Sequence, residues 1–188
     1  MIKAELRKEL RKERRAHVAA LPDNIRALLF ARPPAPLLEA LPKDGAVALY
    51  FSAPDEAPTG AYTRYFFESG RQVALPRFAD RNAPMQFAVL NDPYEYEDCE
   101  VGPFGVLQPP PNAETAVPST LFVPLLGFTA DGARLGQGGG HYDRWLARHD
   151  ATAIGMAWDQ QRRDELPVEP HDVAMNAVVT PTRLYGPF

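Results

Sequence analysis

The chain has 188 residues, 45% of them hydrophobic and 23% charged, with a formal net charge of −4. That length is expected to make one domain, residues 1–188, with a sizeable core, and its apolar runs are too short to span a bilayer. The lone Cys99 excludes an intrachain disulfide, and the charged N-terminus resembles no signal peptide, so a cytoplasmic protein is expected.

Residues 2–20 lack Gly and Pro and carry Leu6 and Leu10 four apart, which predicts a helix. Its first part is unusually basic. Residues 1–15 hold seven basic and three acidic side chains, a local +4 that leaves −8 on the remainder. A general nucleic-acid binder would carry a wider basic surface; a short basic helix suits one multiply charged anion. Lys3, Arg7 and Arg11 share a face. A solvated face pairing with Glu5, Glu9 and Glu13 is the reading preferred for Lys8 and Lys12, and a ligand role stays open for Lys3 and Arg7.

A second helix is expected at 23–30, ending in the Pro-rich loop 33–36. Residues 46–52 read as a buried strand, followed by a polar turn at 53–56 and a helix at 62–68. Residues 72–75 form the next strand, closing on Pro76-Arg77, and 85–90 a short strand placed on the sheet edge. Residues 91–100 are an acidic loop in which Asp98 and Glu100 disfavour a Cys99 thiolate, so no catalytic role is assigned there. Residues 108–111 read as a stiff connection. The apolar run 121–128 is long enough for one buried strand, and 142–148 carries Trp145 and Leu146 at helical spacing. A strand at 151–158, a polar loop at 160–170 and a last strand at 177–180 complete the chain, with His17 and His149 read as surface residues on helices. Alternating strands and helices predict an open, mainly parallel α/β sheet with its ligand crevice beyond the C-terminal strand ends. Asp55-Glu56, Pro76-Arg77 and 134–143 would then face one crevice.

The stretch 134–143 carries Gly136, Gly138, Gly139 and Gly140 between strand and helix. Glycines there free backbone N–H groups to cradle a phosphate; a plain flexible turn is the alternative. It is no Walker loop, because no Gly-Lys-Ser/Thr ends it, and His141 stands where a dinucleotide fingerprint needs its third glycine. Asp143 is either a helix-start residue or a Mg²⁺ ligand that reconciles a carboxylate with a docked phosphate. His171-Asp172 offers a second Mg²⁺ ligand or a capping Asp, and nothing beside it suits zinc.

Gly127-Phe128-Thr129, Asp131-Gly132 and the run Arg134-Leu135-Gly136-Gln137-Gly138-Gly139-Gly140-His141-Tyr142-Asp143-Arg144 resemble the signature of the 5-formyltetrahydrofolate cyclo-ligase family. The resemblance covers nearly the whole chain. It includes Lys3-x-x-x-Arg7, Tyr50 to Glu56 with Thr59, Leu75-Pro76-Arg77, Met85-x-Phe87, Phe104-Gly105-Val106, and Gln-x-x-x-Glu-Leu-Pro-Val-Glu-Pro-His-Asp at 161–172. It implies a sugar-phosphate isomerase-like α/β fold and an ATP-dependent ring closure through a phosphorylated formyl group. By the same resemblance Lys3, Arg7, Arg134, Leu135, Gly136, Gln137, Gly138, Gly139, Gly140, His141 and Tyr142 contact ATP, with Arg134 catalytic. Phe51, Glu56, Gln137 and Tyr142 contact the folate, and Asp143 and Asp172 carry Mg²⁺. The expected partners are the small molecules 5-formyltetrahydrofolate and ATP, with no nucleic acid and no membrane, and the expected state is a monomer. Four positions depart from the family pattern: Gln137 for Arg, His141 for Tyr or Phe, Gln108 for Glu, and Asn176 for Asp. The alternatives are a non-catalytic folate-binding relative and a sugar-phosphate enzyme of related fold, which would need neither ATP nor the Lys3/Arg7 face.

Overall fold

The computed structural model describes residues 2–188. Helix α1 (Lys3–Ala20) leads into two short helices, α2 (Asp23–Arg26) and α3 (Ala35–Ala40). Strand β1 (Val47–Ala48), helix α4 (Gly60–Glu68), β2 (Val73–Arg77) and β3 (Gln86–Val89) follow. A small hairpin of β4 (Glu100–Val101) and β5 (Leu107–Gln108) precedes β6 (Thr115–Ala116) and β7 (Thr120–Pro124). A second hairpin, β8 (Gly127–Phe128) with β9 (Arg134–Leu135), leads to α5 (His141–Leu146). Then come β10 (Thr152–Met156), a 3₁₀ turn (Asp159–Gln161), β11 (Ala177–Val179) and β12 (Leu184–Tyr185).

The main sheet has the order β12-β11-β10-β7-β1-β2-β3-β6. Its five central strands, β11 to β2, pair in parallel, and β12, β3 and β6 add antiparallel edges. Strand periodicity sorts the core into two layers. Phe122, Val47 and Ile154 face Tyr62, Phe66 and Trp158, whereas Leu121, Val123 and Ala153 face Phe87, Phe128 and Trp145. The expected mainly parallel α/β architecture is present. No helix among the described residues is long and apolar enough to cross a membrane.

Several local expectations need correction. The run 121–128 is not one strand but breaks after Pro124. The freed carbonyls are taken by side chains: Gln161 Nε2 donates to Leu125 O (2.8 Å) and Leu126 O (3.1 Å), and Arg14 Nη1 to Leu125 O (3.3 Å). Leu126 packs against Leu10 of α1. Residues 85–90 are not the sheet edge, because β6 pairs outside β3. The Pro-rich segment 33–36 begins α3, with Pro34 capping it and Pro36 in its first turn, where a missing N–H leaves no intrahelical bond unmade. The second helix stops at Arg26. Glu13 pairs across to Arg163 rather than along its own helix. Neither histidine is a free surface residue: His17 lies half-buried against Trp158, and His149 stacks on Trp145 at 4.0 Å.

Candidate functional site

Parallel strands end where their following loops diverge, and the loops after β1, β2 and β7 open on one crevice. The glycine loop 136–140 lies between β9 and α5. Gly138 (φ +108°) and Gly140 (φ +63°) occupy the left-handed region, where a Cβ is strained, and Gly140 caps α5. Helix α1 holds this loop by its carbonyls. Arg7 Nε donates to Gly136 O (3.0 Å), and Arg11 reaches Gln137 O (2.8 Å) and Oε1 (3.0 Å). Among the described residues, no backbone acceptor takes the N–H groups of Gln137, Gly138, Gly139 or Gly140. They remain available to a ligand.

Arg134 and Asp143 form a nearly buried pair, Nη2 to Oδ1 at 2.8 Å, and the same Oδ1 accepts the Val173 N–H at 3.0 Å. The Nε of Arg134 is buried with no partner among the described residues. Lys3 Nζ lies 2.5 Å from both Glu169 Oε2 and Asp172 Oδ2. Burial opposes its charge, but hydrogen bonds to the two carboxylates outweigh that and raise its pKa. Burial likewise works against ionisation of Asp172, yet Lys3 and the Glu169 N–H hold its pKa below the ordinary value; Lys3 lowers that of Glu169. Ligand atoms of Glu169, His171 and Asp172 lie within 4.8 Å of one another.

These groups line a cavity of about 120 Å³ that contains Lys3, Arg7, residues 134–143 and Asp172. A second cavity, about 250 Å³, is mainly aromatic and aliphatic, with Phe51, Phe78, Phe104 and Tyr50 around Glu56. Glu56 Oε2 accepts the Ala53 N–H (2.9 Å), and its Oε1 lies 3.4 Å from Gln137 Nε2. Pro124, Gln137, His141 and Tyr142 line both cavities. The His141 ring meets Phe78 and Phe104 edge-on, at 4.8 and 5.6 Å, while Arg144 Nη2 donates to its Nδ1 at 3.1 Å. Burial and the neighbouring Arg144 charge lower the His141 pKa. Burial, then the Glu56 charge, holds the Tyr142 phenol above its ordinary value.

The structure thus gathers Lys3, Arg7, the glycine loop, Asp143 and Asp172 on one side, and Phe51 and Glu56 on the other. Gln137 and Tyr142 stand between. Leu135 joins the Leu10–Leu126 cluster with its side chain. Sequence reasoning gave no role to Arg11, Arg14, Phe78 or Phe104. For Arg14 a signal existed: it lies seven residues after Arg7 and therefore on the same helix face.

Fold and site together define an α/β enzyme whose two cavities, one glycine-lined with charges of both signs, one aromatic, meet at the ends of parallel strands. A model of the 5-formyltetrahydrofolate cyclo-ligase family matches residues 1–181, and the chain belongs to that family. A 5-formyltetrahydrofolate cyclo-ligase of Mycolicibacterium smegmatis is 36% identical over 143 residues, 73% of this chain and 74% of the relative. A 5,10-methenyltetrahydrofolate synthetase structure from Aquifex aeolicus matches at a TM-score of 0.78 and 25% identity, covering 100% of this chain and 93% of its own. One from Mycoplasma pneumoniae, at 0.69 and 22% identity over 95% and 98%, shares the fold.

Proposed function

We propose that this chain converts 5-formyltetrahydrofolate to 5,10-methenyltetrahydrofolate at the expense of ATP, as one catalytic domain. The observation that carries the reading is the meeting of a phosphate-suited cavity and an aromatic one at Pro124, Gln137, His141 and Tyr142. A formyl oxygen is a poor leaving group until it is phosphorylated, so the chemistry needs a nucleotide's terminal phosphate beside a pterin. The γ-phosphorus bonds to the formyl oxygen as its bond to the β,γ-bridging oxygen breaks, and ADP departs. N10 then attacks the activated formyl carbon and loses its proton, and the carbon–oxygen bond breaks with release of phosphate.

Phosphoryl transfer demands positioning and charge neutralisation more than covalent help. In this reading the loop N–H groups, Lys3, Arg7 and the unpartnered Nε of Arg134 receive the phosphates. Arg134 acts on the transferring group, Phe51 and Tyr142 cover the pterin, and Glu56 accepts its N–H donors. Asp143 and Asp172 supply the hard oxygen donors that Mg²⁺ takes beside phosphates, so the residues fit that ion, which would neutralise phosphate charge when bound. The test combines protein, Mg-ATP and 5-formyltetrahydrofolate and follows the near-ultraviolet absorbance of the methenyl product. One ADP per product is expected; saturable folate binding with no product would replace this reading by a binding protein.

A further inference from the structure

A third cavity belongs to neither chamber. It occupies about 480 Å³ between α5 and the β3–β6 edge, and it reaches the aromatic chamber through Met85 and His141, which line both. No Asp or Glu lines it, although the chain beyond residue 15 carries an excess of acidic residues. Arg144 and Arg148 do line it. Neither forms an ion pair among the described residues. The Arg144 guanidinium lies over Gly140, where a Cβ would come within 2.8 Å of its Nη1, and its recorded side-chain hydrogen bond is to His141 Nδ1. One wall is the Trp145–His149 stack, with ring planes 12° apart.

Two guanidinium groups without a carboxylate partner, in a cavity that no carboxylate lines, call for an anionic ligand with at least two acceptor groups. The connection through His141 and Met85 limits which one. A folate whose pterin lay against Glu56, as in the proposed function, would run its p-aminobenzoyl ring past His141 and Met85, which line both cavities, and carry its glutamyl end into this one. We propose that Arg144 and Arg148 form the subsite for the two carboxylates of that glutamyl end, an inference that rests on the folate reading above. Both arginines are solvent-exposed, so each contact is screened, and the subsite sets substrate affinity rather than turnover.

The experiment compares 5-formyltetrahydrofolate with 5-formyltetrahydropteroate, which lacks the glutamyl group, in the wild type, Arg148→Ala and Arg148→Glu. KM for the folate should rise roughly threefold in Arg148→Ala and about tenfold in Arg148→Glu, the size expected of screened and reversed contacts. KM for the pteroate, KM for ATP and kcat should change less than about twofold, because Arg148 is remote from the transferring group in this placement. An unchanged KM for the folate, or an equal rise for both pterins, overturns the subsite. A rise confined to ATP overturns it too and gives the cavity to the nucleotide. If wild-type protein yields no methenyl product, the functional reading has failed; equilibrium binding of the same two pterins to the same variants then still decides the subsite.

Discussion

Gln108 is a side chain whose chemistry is tightly specified by its surroundings. It is 5% exposed, accepts the Phe78 N–H at Oε1 and donates from Nε2 to the Phe78 carbonyl, both at 3.0 Å. An amide offers a donor and an acceptor side by side, which an ionised carboxylate does not. The Phe78 ring in turn meets Phe104 (4.9 Å) and His141, so Gln108 positions a wall of the aromatic chamber. Gln108→Leu leaves two backbone groups unpaired and should cost about 1–3 kcal/mol, read as a lowered unfolding midpoint. KM for the folate should rise while KM for ATP holds; a rise in both would make the clamp merely structural. His141 yields a pH prediction. Its folded pKa lies below the ordinary 6.5, so on acidification the unfolded chain takes the proton first. The stability from neutral His141 is complete above that value and declines as pH falls from it towards the lower folded pKa. His17, held down by burial despite the Asp159 charge, adds in the same direction. Between about pH 7.5 and about 5.5, His141→Phe should therefore lose less of its unfolding midpoint than the wild type. Equal losses would show that the ring titrates alike in both states.

Helix α1 joins the two chambers. Lys3, Arg7 and Arg11 hold the acidic and glycine loops, and one turn beyond them Arg14, 4% exposed, donates from Nε and Nη2 to Asp55 Oδ2 at 3.0 and 2.9 Å. Trp158 Nε1 donates to the Asp55 carbonyl (3.1 Å), which pins the turn that carries Glu56. Arg14→Met keeps most of the apolar stem but leaves half-buried Asp55 with solvent and the longer Arg15 contact at 3.8 Å. The expected cost is about 2–3 kcal/mol, below that of a fully buried pair. A denaturant titration measures it, and an unchanged midpoint would leave α1 without this anchoring role. The helix itself was legible because Leu6 and Leu10 lie one turn apart and no Gly or Pro interrupts residues 2–20. The sheet's parallel core was legible for a similar reason: β7 and β10 are continuous apolar runs. What stayed hidden was set by distant partners. Nothing local in 121–128 says that Gln161, thirty-six residues beyond Leu125, will take its carbonyl and end the strand. Strands of two residues, such as β6 and β12, carry too few side chains for any alternation to register. Arg144 and Arg148 drew no functional reading from the sequence, and only the cavity they line distinguishes them.

Across the molecule, the sheet brings together three segments that are far apart in sequence: 50–56 after β1, the loop 136–140 with the first turn of α5, and 169–172 before β11. Each candidate group therefore belongs to one chamber or to the seam, and substitutions should sort accordingly. Lys3→Met removes a cation from the small cavity and leaves Glu169 and Asp172 facing each other. It should raise KM for ATP about tenfold with little effect on the folate. Glu56→Gln keeps an acceptor but halves the pairing with pterin N–H donors, so the folate KM should rise about fivefold and that for ATP should hold. Asp143→Asn is a cleaner probe than alanine. Its carbonyl oxygen can still accept the Val173 N–H, whereas the charge opposite buried Arg134 is lost. Activity should fall by roughly a hundredfold at low Mg²⁺ and recover in part as Mg²⁺ is raised, while folate binding measured without nucleotide stays the same. Gln137 lies on the seam, within 3.4 Å of Glu56 and held by Arg11, so Gln137→Ala should disturb both substrates at once. If Gln137→Ala changes the kinetics of one substrate alone, the two cavities do not share a reaction centre, and transfer of phosphate from one to the other loses its geometric basis.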